Sequence, residues 1–383
     1  MEQMKKSEAK VLIITHSLSL TYGAARSLNL LLQGVMFDFD IIFNRKILRF
    51  YSKEQLREYA GPRCQNIYYS HLPLSESIIK AYEPFRNKEN FLFNAIIKIK
   101  MFTRTLLSIL SRPFLKKKIC SKKYDLVYLN SSILYPLIYK KKKTVVHIRE
   151  VLSINVPKKA QKRFANAYRC VCIDYATEKR FVESCSLVNK SNVVLVTNPF
   201  DMRDVFLVDK KVVLDKYGIN EESIVFLIAG MITEEKGVEF VIEGFRRAQI
   251  PNSILLIAGV SRSSGESLTA SREENILFLG EIKNMSTIYA ITDVLVRGED
   301  LFCTGRTVFE ALFSGARVLM PGREDDLGKQ HFEDDQKNRV VFYEPRNLDS
   351  LVKRMQSIKK IEKQKCKDNN LDEFYNKIQN VFK

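Results

Sequence analysis

The chain has 383 residues, 45% hydrophobic and 28% charged, with a formal net charge of +18. That length suggests two domains of roughly 150–200 residues, and the balance excludes a disordered chain, a collagen-like repeat and a small disulfide scaffold. The charge is uneven: residues 1–200 hold 35 Lys and Arg against 14 Asp and Glu, whereas residues 201–383 hold 27 against 30. A basic half of this size attracts a polyanion, either nucleic acid or anionic lipid.

In chain order, the opening apolar stretch VLII breaks at Thr15 and His16. It is too short for a secretory h-region and reads as a first strand, VLIIT at 11–15. Further β-branched runs follow at 40–43, 66–69, 125–129, 144–148, 170–173 and 193–196, with helical spacing between them, as at Ala25, Leu28, Leu31, Leu32 and Val35. The second half repeats the plan with SIVFLIAG, SILLIAG, NILFLG, DVLVRG, ARVLMPG and RVVFY. Strands alternating with helices predict βαβ units and parallel sheets. The expected fold class is therefore α/β, with two doubly wound Rossmann-like domains, 1–199 and 200–383, facing a cleft. Composition shifts near Asn198-Pro199-Phe200-Asp201, where the boundary is drawn. Ligands in such sheets lie outside the carboxyl ends of the strands.

No uncharged apolar run reaches the roughly 18 residues of a membrane span. Seven cysteines (Cys64, Cys120, Cys170, Cys172, Cys185, Cys303 and Cys366) lack any C-x-x-C pair, which fits reduced cytosolic thiols. No Walker loop, nucleophile elbow or clean dinucleotide fingerprint is present, so ATPase, hydrolase and dehydrogenase readings are poor. Asp38-x-Asp40 precedes a strand rather than ending one, so it makes a weak cation motif.

The strongest stretch is GRTVFEALFSGARVLMPG, from Gly305 to Gly322: a turn, a helix starting near Thr304 or Gly305, a glycine at its end and a buried strand. A helix start offers free N–H groups and partial positive charge, suited to a diphosphate. Arg306 and Thr307 fall in that first turn, and Glu310 stands where a carboxylate could accept ribose hydroxyls. The plain alternative is an amphipathic helix with a solvated Glu310.

Gly-Arg-Thr-x-x-Glu-Ala followed by a strand resembles the donor-site signature of GT-B glycosyltransferases, especially family 4 (glycosyl transferases group 1). GMITEEKGVEFVIEGF (230–245) is similar to the family's strand that ends in Gly-Arg before a Lys-Gly helix start, and SLTYGAARSLNLLL (19–32) resembles its first glycine loop. NILFLGEI and TDVLV follow in the family's order. The resemblance implies a GT-B fold, with the last helix free to pack back on the first domain. It implies an enzyme that binds a UDP- or GDP-linked sugar through Gly23, Gly230, Lys236, Gly305, Arg306, Thr307 and Glu310. Lys236 would neutralise the diphosphate. The same resemblance implies retention of anomeric configuration, no cofactor and no bound metal. Arg149 and His147, in VVHIRE, correspond to the cleft strand of many relatives and are candidate catalytic residues beside Lys236 and Glu310. His16 and Glu150 are candidates for the acceptor side, and His147 reads equally as a core histidine. Two departures stand out. Met231 replaces the usual arginine, and Phe302 occupies the position of the first acid of E-x7-E, leaving Glu299 or Asp300 as substitutes.

Residues 91–118 combine Phe, Ile and Leu with Lys98, Lys100, Arg104, Arg112 and Lys116 to Lys118. Charges interrupt the run, so the expectation is a helix lying on an anionic bilayer rather than crossing it. Together these readings predict a glycosyltransferase acting on a lipid-linked or cell-surface glycan, cytoplasmic and peripheral at the inner face of the membrane. A degenerate GT-B scaffold partnering an active transferase is the alternative. Nucleic acid is disfavoured because no recognition helix or aromatic RNA motif is evident.

Overall fold

The computed structural model describes residues 10–20, 23–75, 78–79, 91–232, 236–259, 274–300, 302, 304–329, 332–360, 363 and 367–382. Parts of the glycine loop at 19–32, of the GMITEEKG segment and of LFCT fall outside these residues, as do the side chains of Lys98, Lys100 and Arg104. The chain divides into two compact units, Met1–Asn198 with Asp372–Lys383, and Pro199–Leu371. The C-terminal helix (Leu371–Phe382), within the second sequence domain but free to pack back on the first, belongs almost entirely to the first unit.

The first unit is a seven-stranded sheet of β1 (Val11–Thr15), β2 (Phe39–Asn44), β3 (Cys64–Ser70), β4 (Leu126–Leu129), β5 (Thr144–Ile148), β6 (Arg169–Cys172) and β7 (Val193–Leu195). The order is β3-β2-β1-β4-β5-β6-β7, parallel throughout. Both faces are covered, which is why the strands read as unbroken apolar runs. Val11 and Ile13 of β1 face a core shared with α1 (Gly23–Gly34), α2 (Lys53–Ala60) and the C-terminal helix. Leu12 and Ile14 face the opposite core, with α3 (Phe91–Ile119), α4 (Lys158–Phe164) and α5 (Tyr175–Ser184). Capping boxes at Ser52/Gln55 and Asp174/Thr177 start α2 and α5 by satisfying their first N–H groups.

The second unit repeats the design with β8 (Ile224–Ala229), β9 (Ser253–Ala258), β10 (Ile276–Gly280), β11 (Val294–Val296), β12 (Arg317–Pro321) and β13 (Val340–Tyr343). Their order is β10-β9-β8-β11-β12-β13, again parallel. Val225 and Leu227 pack with α6 (Lys210–Tyr217), α8 (Met285–Ile291) and α9 (Arg306–Phe313) on one face. Phe226 and Ile228 pack with α7 (Val238–Ala248) and α11 (Leu348–Gln356) on the other; the short α10 spans Asp334–Lys337. In each sheet the strand order reverses once, between β1 and β4 and between β8 and β11. Those are the topological switch points, where a doubly wound sheet opens a crevice at its strand ends.

Candidate active site

At the switch point of the second unit, chain glycines bring two loops into backbone contact. Gly237 opens α7 with φ 60°, and a Cβ there would stand 1.8 Å from the carbonyl oxygen of Gly298. Only glycine on both sides permits that approach. It carries Lys236 to the loop after β11, where its Nζ lies 2.9 Å from Glu299 Oε1. Glu299 also receives both arms of Arg297: Nε donates to Oε2 at 2.9 Å, and Nη2 donates to Oε1. Arg297 Nη1 reaches forward to Thr307 Oγ1, 2.7 Å away in the first turn of α9. Gly305, the N-cap of α9, lies on the guanidinium, since a Cβ there would come within 2.9 Å of Nη1.

Arg297 is buried, and the Tyr343 hydroxyl donates to its carbonyl at 2.6 Å. Burial works to raise the Glu299 pKa, but the charges and hydrogen bonds of Arg297 and Lys236 outweigh it and hold the carboxyl below its ordinary value. Lys236 keeps 42% of its side chain exposed, so its ammonium faces solvent as well as Glu299. Gly230 follows β8 with φ 124° and is exposed, and Met231 beside it presents an apolar side chain. Thr304, immediately before α9, is buried, and its hydroxyl has no hydrogen-bond partner among the described residues.

Sequence reasoning missed Arg297. Its only trace was a lone arginine at the end of a buried strand, where a charge is costly unless paired. The two acids offered as substitutes have different partners. Glu299 joins Lys236, whereas Asp300 pairs with the exposed Arg346. Phe302 packs on the core, edge to face with Phe342 at 6.0 Å.

Arg306 and Glu310, expected at the donor diphosphate and ribose, pair with each other across one helical turn, Nε to Oε1 at 2.7 Å. Arg306 Nη1 donates to the Pro199 carbonyl at 3.1 Å, and its guanidinium lies 4.8 Å from the centre of the Phe200 ring. The Tyr289 hydroxyl donates to the other Glu310 oxygen at 3.1 Å. Both charged side chains are nearly enclosed, so an i,i+4 pair that would be weak on a surface here neutralises two buried charges.

The switch point of the first unit carries a second polar cluster, whose members bond largely to one another. Arg149 donates to Asn130 Oδ1 at 3.0 Å and to Asn198 Oδ1 at 2.7 Å, with Nη2 3.3 Å from His147 Nδ1. Glu150 accepts from the Ser131 and Ser132 hydroxyls, from the Ser132 N–H at 3.1 Å and from the Arg149 N–H at 3.3 Å. His147 is fully buried and hydrogen-bonded to the Tyr128 hydroxyl. Burial, then the Arg149 charge, pushes its pKa well below the ordinary value, so it stays neutral. The burial matches the reading of His147 as a core histidine, and its Nε2 has no hydrogen-bond partner among the described residues. His16 follows β1 and is half-buried, and Gly23 opens α1 on the surface.

Residues 209–373 match the family model for glycosyl transferases group 1. No curated protein sequence matches the chain significantly. Among solved structures, the chain is similar to HepE from Anabaena in complex with UDP-glucose, at 13% identity and a TM-score of 0.60, over 98% of this chain and 99% of that one. It is similar to sucrose-phosphate synthase from Thermosynechococcus elongatus at 12% identity and a TM-score of 0.59, covering 91% and 89%. A third is the lipopolysaccharide outer core galactosyltransferase WaaB, at 15% identity and a TM-score of 0.52, over 91% and 89%. At these identities the solved structures show a shared fold, the GT-B fold.

Proposed function

We propose that this protein, a GT-B glycosyltransferase whose residues 209–373 form a group 1 domain, moves a sugar from a UDP- or GDP-linked donor to a hydroxyl of a lipid-linked or cell-surface glycan. The observation that carries the reading is the half-exposed Lys236, paired to Glu299, whose other partner Arg297 bonds the first turn of α9, inside the family-matched region. The positive end of the α9 dipole and the Lys236 ammonium would receive the donor diphosphate. The buried, unsatisfied Thr304 hydroxyl at the same helix end supports a polar ligand there.

In the transfer, the bond from the anomeric carbon to the diphosphate oxygen breaks and its electron pair stays on the diphosphate. The acceptor oxygen forms the new bond on the face from which the diphosphate departs, which gives retention, and its proton passes to a phosphate oxygen. Lys236 and the α9 dipole stabilise the charge that collects on the leaving group. HepE in complex with UDP-glucose supports a uridine donor by analogy of fold.

The acceptor side rests on the first unit. From Leu106 to Lys117, α3 exposes Leu106, Leu107, Ile109, Leu110 and Phe114 together with Arg112, Lys116 and Lys117. No helix among the described residues is long and apolar enough to cross a membrane. Docking of this apolar and basic face on an anionic bilayer would bring the enzyme to the inner face of the cell membrane, where lipid-linked acceptors are presented. One observation favours a second reading: with Phe302 in the core and Arg306 paired to Glu310, a scaffold that binds donor without turnover is consistent with the site.

A thermal-shift panel of UDP- and GDP-sugars tests the proposal, because a ligand that binds only the folded state raises its stability. Stabilisation by one base class supports it. No shift with any nucleotide sugar or nucleoside diphosphate at millimolar concentration sinks it. Stabilisation without transfer to any acceptor selects the scaffold.

A further inference from the structure

The donor site holds an acid where a diphosphate needs cations. We infer that Glu299, fixed in place by the fork of Arg297, is the charge-setting residue of this site: it positions the Lys236 ammonium and cancels part of its charge, so that the nucleoside diphosphate left after transfer is released. The inference rests on the donor-site reading above.

Arg297 is what makes Glu299 stationary. Its guanidinium grips both carboxylate oxygens, its third donor holds Thr307 Oγ1 at 2.7 Å, and its own carbonyl takes the Tyr343 hydroxyl. A planar fork bound in this bidentate way sets direction as well as charge. The carboxyl is ionised at neutral pH because the neighbouring cations outweigh its burial. Its Oε1 is shared between Arg297 and Lys236.

Lys236 can meet a phosphate without leaving Glu299. An ammonium carries three donors on a flexible stem, Glu299 takes one of them, and 42% of the side chain is exposed. The Gly237–Gly298 backbone contact keeps the two loops in register, since a Cβ on either glycine would collide with the other's carbonyl. With Met231 contributing no charge, the cluster of Lys236, Arg297 and Glu299 holds one net positive charge. A diphosphate accumulates negative charge as its bond to the sugar breaks. A site with two unopposed cations would hold that product tightly, and Glu299 offsets one of them.

The test is calorimetric titration of UDP and GDP into the full-length wild type, Glu299→Gln and Glu299→Asp, with rapid-quench turnover on each. Gln keeps an acceptor oxygen for Lys236 and removes the charge. We expect whichever diphosphate the wild type binds to bind Glu299→Gln roughly tenfold tighter, as expected when a like charge within a few ångströms is removed. Turnover should then show a burst of product followed by a slower steady state. The shorter Asp keeps the charge but not the reach, so diphosphate affinity should stay within about twofold while the chemical step slows. A purely structural Glu299 would weaken binding or leave it unchanged in both variants. Folded Glu299→Gln with unchanged or weaker diphosphate affinity overturns the inference alone; if Gln prevents folding, loss of diphosphate binding in folded Glu299→Asp does so. A wild type that binds neither UDP nor GDP overturns the donor reading and this inference with it.

Discussion

The two units share a parallel-sheet plan and a switch point, yet they treat the charges at their strand ends in opposite ways. In the first unit, His147 lies in β5, and Arg149 and Glu150 follow it, with Arg149 bonded to Asn198. Most of their polar groups are met by Asn130, Ser131, Ser132, Tyr128 and each other, His147 Nε2 being buried without a partner among the described residues. In the second, the Arg297–Glu299 pair is equally fixed but ends in a lysine that is still half open to solvent. A closed polar cluster ties loops together; an open one can exchange its partner for a ligand. The comparison teaches that charge at a switch point is not enough to mark a binding residue. What matters is whether a donor remains turned toward solvent once the protein's own acceptors are counted.

Substitution separates the two kinds of cluster. Lys236→Ala should cut sugar transfer ~100- to 1000-fold, about 2.7–4 kcal/mol of barrier, as for other single donors aimed at developing negative charge. Its thermal unfolding should match wild type, because the lysine is half exposed. Wild-type turnover in the folded variant would remove Lys236 from the site. Glu150→Ala should show the converse. It strips four hydrogen bonds from a carboxylate that joins the loops after β4 and β5. We expect a loss of about 1.5–3 kcal/mol in denaturant unfolding. If stability holds and acceptor KM rises instead, the first-unit cluster is a binding site and the contrast fails.

Much of this architecture was legible in the sequence, and the exceptions share a cause. Every apolar run read as a strand is a strand, because a parallel strand buried on both faces must be apolar at successive positions, as in VLIIT and SILLIA. The C-terminal helix could not be placed on a sheet by its pattern alone. Its apolar stripe of Phe374, Ile378, Val381 and Phe382 states that it packs, not on what. At the site, the local signatures located Lys236 and the start of α9, but not their partners. Glu299 and Asp300 are neighbours in sequence and point to different partners, a result of loop geometry that no spacing rule encodes. Arg306 and Glu310 were separated correctly along a helix, and that same four-residue spacing let them neutralise each other. Side-chain pairing across loops is where sequence reading stops.

The end of the first sheet away from the strand tips offers a pH test of the same contrast. Asp40, buried near the start of β2, accepts from Lys123 Nζ, from the Tyr124 hydroxyl at 2.6 Å and from Asn66 at 2.9 Å. Burial acts to raise its pKa, but these partners prevail and hold it below the ordinary carboxylate value. A carboxyl depressed in the folded state contributes stability above its unfolded pKa and loses that contribution as pH falls through the folded one. Asp40→Asn should therefore be less stable than wild type at neutral pH, and the gap should close as the medium is acidified below the ordinary carboxylate range. A gap that stays constant down to strongly acid pH would show that shape, not charge, is what Asp40 provides.

The smallest effect concerns the excess charge of the first unit. On α3, only Ser108, Leu115 and Ile119 are buried between Thr105 and Ile119, and Ser111 bonds the His71 carbonyl, so one narrow stripe anchors the helix. The broad remainder is apolar and basic at once, a combination that water alone does not favour and a bilayer surface does. Lys118 is not part of the free face, since its Nζ lies 3.5 Å from the centre of the Tyr68 ring. Lys116 and Lys117 are exposed and suit the test. Each basic residue near an anionic surface is worth about 1 kcal/mol, so Lys116→Gln with Lys117→Gln should weaken sedimentation with phosphatidylserine vesicles ~30-fold and leave donor binding unchanged. Leu110→Ser with Phe114→Ser should weaken it further, and that loss should persist at high salt, where the lysine contribution is screened. Equal recovery of wild-type protein on neutral and anionic vesicles would break the argument, because the charge difference between the halves would then have no membrane to answer to.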